Sequence, residues 1–85
     1  MRCRMNLAGV DISESECWEL IDFHHRVGRA DDLHLAARIE DSLGRRQRCL
    51  ILSPAERELM LSVLDDPPPG KLFELRAVLV LERFE

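Results

Sequence analysis

The chain has 85 residues, a net charge of −4 and close to half apolar residues. That is enough for one small folded domain with a thin core, and too little charge bias for a disordered acidic or basic tail. No apolar run approaches the roughly 18–20 residues of a membrane span, the first residues lead into no signal-like stretch, and the three cysteines are too few and too scattered for a disulfide framework. These features set a cytoplasmic protein with reduced thiols as the expectation.

In chain order, Cys3, Met5 and Leu7 alternate with polar neighbours, and Val10 and Ile12 resume the alternation after Gly9. This is the period-two pattern of a half-buried strand. Ser13 and Glu16 then make a capping box, which predicts a helix from Glu14 to Val27. Its core stripe is Cys17, Leu20, Ile21 and Val27, with Trp18 and Phe23 at the margins. Gly28 is the expected left-handed stop.

A second helix is predicted from Asp32 to Leu43, capped by Asp31, with Leu35, Ala36, Ile39 and Leu43 facing inward and Gly44 ending it. Residues 49–52 form a short apolar run, and pairing it with residues 3–7 would give a minor two-stranded ribbon. Ser53-Pro54-Ala55-Glu56 combines a capping box with a first-turn proline and predicts a third helix over residues 54–64. Pro67 to Gly70 is read as a rigid elbow within one domain spanning 1–85, not as a boundary. A fourth helix, over residues 72–83, carries Leu72, Leu75, Val78 and Leu79 on one face. Ala77, Val80 and Leu81 make it apolar almost all round, which predicts burial on several sides. Residues 77–81 would also suit a strand. The expected fold is mainly α, a bundle of four short helices.

Chemistry is sparse. His24 and His25 are adjacent and so point about 100° apart on a helix, and no His or Cys pair has the spacing of a metal site. Cys17 is expected on the buried face of an acidic helix, where a thiolate is disfavoured. Ser13 and Ser53 are accounted for as caps. No catalytic residue, metal or cofactor is therefore expected, and the chain reads as a non-enzyme.

The expected function is a non-catalytic protein-interaction module: a small adaptor, regulator or inhibitor working through an apolar helix face. The candidate partner-binding residues are Trp18, Phe73, Val80 and Phe84, because large apolar and aromatic side chains beyond the needs of a small core are interface material. The partner is another protein, with a second copy of the chain as the alternative. Arg45, Arg46 and Arg48 form a basic cluster that could hold phosphates, with Arg26, Arg29 and Arg38 as reinforcements. The net acidity weighs against nucleic acid. So does the second helix, whose outward face is expected to carry Asp32, Glu40 and Asp41, which would repel phosphates. An acidic nucleic-acid mimic using Glu14, Glu16, Glu19 and Asp22 is a third reading.

Overall fold

The computed structural model describes residues 4–83. The chain opens with a tight antiparallel hairpin of β1 (Arg4–Leu7) and β2 (Val10–Ser13). Ala8 and Gly9 both take positive φ, 51° and 86°, at the two-residue turn. Positive φ at both central positions matches the right-handed twist of the strands, and glycine bears it without steric cost. The Asn6 side chain accepts the Gly9 amide at 3.0 Å and stabilises the turn locally. Met5 pairs with Ile12 and Leu7 with Val10, so the alternation puts all four on the buried face.

A short third strand, β3 (Cys49–Leu50), lies parallel to β1 with Asn6 opposite Cys49 and Leu7 opposite Leu50, giving the order β2-β1-β3. The expected pairing of residues 3–7 with 49–52 is present but subordinate. The longer partner of β1 is its sequence neighbour β2, because closing a two-residue loop costs far less entropy than closing one of about forty residues. Cys3 lies outside the described residues.

Ser13 ends β2 and caps α1 (Glu14–Val27) in the same residue. Its hydroxyl accepts the Glu16 amide, and the Glu16 carboxylate reaches back to the Ser13 amide at 3.4 Å and accepts the Ser13 hydroxyl at 2.8 Å. The other Glu16 oxygen accepts the backbone amide of Lys71, at the start of α4 (Lys71–Arg83), at 3.1 Å. One carboxylate thus satisfies donors at two helix N-termini, where the helix dipoles favour negative charge. Gly28, at φ 72°, closes α1 by returning its amide to the His24 carbonyl.

α2 runs Ala30–Gly44, two residues earlier than the sequence pattern indicates, with Arg29 and not Asp31 at the cap position. Asp31 falls inside the first turn, where a carboxylate still favours the dipole. Gly44 is the last helical residue, not the stop, and Arg46 takes the left-handed conformation (φ 56°) that turns the chain. α3 (Pro54–Val63) starts on the predicted Ser53–Glu56 box. Residues 77–81 are helical, within α4. Arg57 near the start of α3 lies 3.4 Å from Glu82 near the end of α4, so these two helices run antiparallel.

One core joins the hairpin face to all four helices, through Leu20 and Ile21 of α1, Leu35 and Ile39 of α2, Met60 of α3, and Leu72, Leu75 and Leu79 of α4. Two sequence assignments are corrected. Val27 is 47% exposed, and its place on the inner stripe of α1 is taken by His24, which is fully buried. His24 turns inward to meet Asp32 of α2, while Val27, at the end of the helix, stays outside. α4 is buried on one face only. Val78 is half-buried, Ala77 is exposed and Leu81 is 68% exposed. The reason is that α3 and β2 occupy only one side of it. Among the described residues no helix is long and apolar enough to cross a membrane.

Candidate partner-binding surface

The outer side of α4 is built by helical spacing. Phe73, Ala77 and Val80 follow one another at steps of four and three, which keeps them within one narrow stripe on the helix surface. This stripe points away from the Leu72-Leu75-Leu79 face. Phe73 is 58% exposed, Ala77 is exposed and Val80 is half-buried, and Leu81 widens the stripe on the side away from α3. Phe84 continues the spacing in the sequence and lies outside the described residues.

Val80 also lines a recess of about 280 Å³ between α3 and α4, with Leu61, Ser62, Asp65 and Arg76. In it the Nε–H of Arg76 is buried without an acceptor. Trp18 is 44% exposed on α1, outside the buried stripe of that helix. The predicted partner-binding residues are therefore all surface-accessible where described, but they stand on two helices.

The arginine cluster is less well built for phosphate. Arg45, Arg46 and Arg48 are exposed, and Arg45 pairs with Asp41 at 3.1 Å. The amides of Arg45, Arg46 and Gln47 return to the carbonyls of Asp41, Leu43 and Ser42. They close the end of α2 and form no anion-binding nest. The expected reinforcements are committed elsewhere: Arg26 to Asp22 at 2.8 Å, Arg29 to Asp32 at 2.6 Å, and Arg38 to Glu56. Asp32 is not on the outward face of α2, since it is fully buried. The acidic set on α1 is thinned likewise, because Glu16 caps two helices and Asp22 holds Arg26.

Sequence reading missed a buried polar cluster at the α1–α2 turn. His24 Nδ1 lies 2.8 Å from one Asp32 oxygen, Arg29 Nε donates to the other at 2.6 Å, and Arg29 also donates to the Ser62 hydroxyl on α3 at 3.3 Å. Burial pushes the Asp32 carboxyl up, but the hydrogen bonds from Arg29 and His24 and their charges outweigh it and hold it below its ordinary value. His24 Nε2 is buried with no partner. The available signal was that His24 falls on the same helical face as Cys17, Leu20 and Ile21.

A second clasp joins α2 to α3. Arg38 bonds Glu56 and the Ile51 carbonyl, the latter at 3.3 Å. Burial raises the Glu56 carboxyl, and the Arg38 and Ser53 hydrogen bonds more than offset this, holding it below its ordinary value. Cys17 is pushed up to about 12, by burial first and by Glu16 and Glu14 second, so its thiol stays protonated and unreactive. A groove of about 510 Å³ between α2 and α3 is lined by Arg29, His34, Leu59 and Ser62, among others; of the candidate binding residues read from the sequence it holds Arg29, and none of Trp18, Phe73, Val80, Arg45, Arg46 and Arg48. No group of three metal-ligating side chains occurs among the described residues.

Comparison with known proteins places the chain beside nothing else: no protein family, curated protein or solved structure matches it.

Proposed function

We propose that this protein is a non-catalytic interaction module, acting in the cytoplasm as a small adaptor, regulator or inhibitor, and that it docks a helix of a partner protein along the outer face of α4. One observation carries the reading. α4 has two apolar stripes, and the fold covers only the one containing Leu72, Leu75 and Leu79, leaving Phe73, Ala77 and Val80 accessible. Burying such a stripe releases ordered water and favours association in proportion to the apolar area covered. Phe73 supplies the large anchor, and Ala77 permits close approach of another helix. Trp18 is a second contact on α1.

The test is a pull-down from the native host with wild-type protein, Phe73→Ser and Val80→Asp, with captured molecules identified by mass spectrometry and each variant's thermal midpoint measured alongside. One protein held at near-equal stoichiometry by the wild type should be lost from both variants. For a central anchor the affinity loss is about 1–3 kcal/mol. The midpoints should move little for Phe73→Ser. Retention of the partner by both variants, or loss of folding in step with loss of the partner, would refute the docking face. Recovery of only the bait and its own copies would make self-association the activity.

A further inference from the structure

The sheet has an edge that the interaction face of α4 does not use. β3 is the outer strand of the order β2-β1-β3. Its Arg48 carbonyl accepts the Asn6 amide at 2.7 Å, which turns residues 48 and 50 toward β1 and the peptide groups of Cys49 away from it. The next outward carbonyl, that of Ile51, is met by Arg38. Cys49 is exposed and Ile51 is 81% exposed, the most accessible of the large apolar side chains described. β3 has only two residues, so the edge it offers is short: the outward peptide groups of Cys49, beside the uncovered Ile51 that follows the strand.

The charge around this edge sets the sign of what it takes. Arg46 and Arg48 immediately precede it, both are exposed, and neither has a charged partner among the described residues. Beside the strand lies a recess of about 330 Å³ lined by Gly9, Cys49, Ile51, Leu52, Arg57 and Glu82, with other residues of the hairpin and β3. There the Nε–H of Arg57 is buried without an acceptor, and the Arg57–Glu82 approach of 3.4 Å forms no hydrogen bond. Glu82 balances Arg57, so the uncompensated charge is that of Arg46 and Arg48.

We propose that β3 accepts an extended, acidic segment of a partner protein as a fourth strand. Main-chain hydrogen bonds to Cys49 supply the pairing, Ile51 packs against an apolar residue of the segment, and Arg46 and Arg48 select its carboxylates. This is strand addition with electrostatic selection. It is independent of the α4 face, since no residue is shared.

The experiment is fluorescence anisotropy with a labelled octapeptide of alternating glutamate and valine. Its controls are the same peptide N-methylated at alternate residues, the lysine–valine counterpart, and a single-stranded DNA octamer. The glutamate–valine peptide should bind. N-methylation on the pairing edge should weaken it about tenfold or more, through the lost main-chain hydrogen bonds. Arg46→Glu with Arg48→Glu should weaken it about tenfold and reduce its salt dependence. Ile51→Ser should also weaken it, whereas Phe73→Ser should leave it unchanged, which separates failure of this site from failure of the α4 face. These are exposed positions, and circular dichroism of each variant verifies folding. Equal binding of the N-methylated peptide would reduce the effect to charge alone and overturn strand addition. Tighter binding of the DNA octamer, or no binding of the glutamate–valine peptide, would overturn the proposal as well.

Discussion

The α1–α2 turn and the outer face of α4 are opposite solutions to the same problem. At the turn, a carboxylate is buried and matched: Asp32 is fully enclosed yet meets the buried His24 and the half-exposed Arg29 at 2.8 and 2.6 Å. On α4, apolar groups are exposed and matched to nothing in this chain, with Phe73 at 58% and Leu81 at 68% accessible. A buried carboxylate without partners would be costly, so the turn is closed and its groups act on stability. An exposed phenylalanine costs little in folding, so the α4 face is free to act on a partner. The difference separates residues that hold the fold from residues available for recognition.

Replacing Asp32 is the strongest way to break this contrast. Asp32→Ala should remove about 1–3 kcal/mol of folding stability, because it leaves the buried His24 ring nitrogen without its partner, while the half-exposed Arg29 can turn to solvent. Urea unfolding measures this directly, and a loss below about 1 kcal/mol would show that the cluster is not a stabilising clasp.

Acid comes next. Asp32 and Glu56 are held below their ordinary values of 3.8 and 4.5 in the folded protein. Their contribution is therefore complete above those values and is lost as pH falls through the lower, folded-state values. Thermal midpoints should decline below about pH 4.5, and Asp32→Asn with Glu56→Gln should flatten that decline. An unchanged slope in the double variant would assign acid sensitivity to other carboxylates.

The smallest effect is expected at the open face. Phe73→Ser should change stability by no more than about 0.5 kcal/mol, the usual range for a surface position. A loss several times larger would mean that Phe73 belongs to the core and would erase the contrast with the turn.

Much of the architecture was legible locally. The two capping boxes located the starts of α1 and α3 because the Ser and Glu of each box act within four residues. The alternation marked extended backbone on either side of Gly9, but the pairing of those two halves as a hairpin was not read from it, and the helical stripes of α1, α2 and α4 came from spacing. The start of α2 was not legible, because Asp31 and Asp32 look alike as caps until one of them is drawn inward by His24 and Arg29. Phe73, Val80 and Trp18 could be singled out as surplus apolar residues. Ile51 could not, since Leu50-Ile51-Leu52 reads as one apolar run until the fold buries residues 50 and 52 and leaves residue 51 outside.

The sequence by itself determined the four helices, the N-caps of α1 and α3 and most of the residues that make the core, since these depend on hydrogen bonds and periodicity over one or two turns. Only the tertiary structure decided that Glu16 also caps α4, that Arg38 and Arg29 serve clasps and not a phosphate site, and that α4 keeps one apolar face uncovered. Glu16 reaches Lys71 across 55 residues, Arg38 reaches Glu56 across 18 and Arg29 reaches Ser62 across 33, and the open face of α4 depends on which side of a helix its neighbours happen to fill. Local spacing carries no information about either.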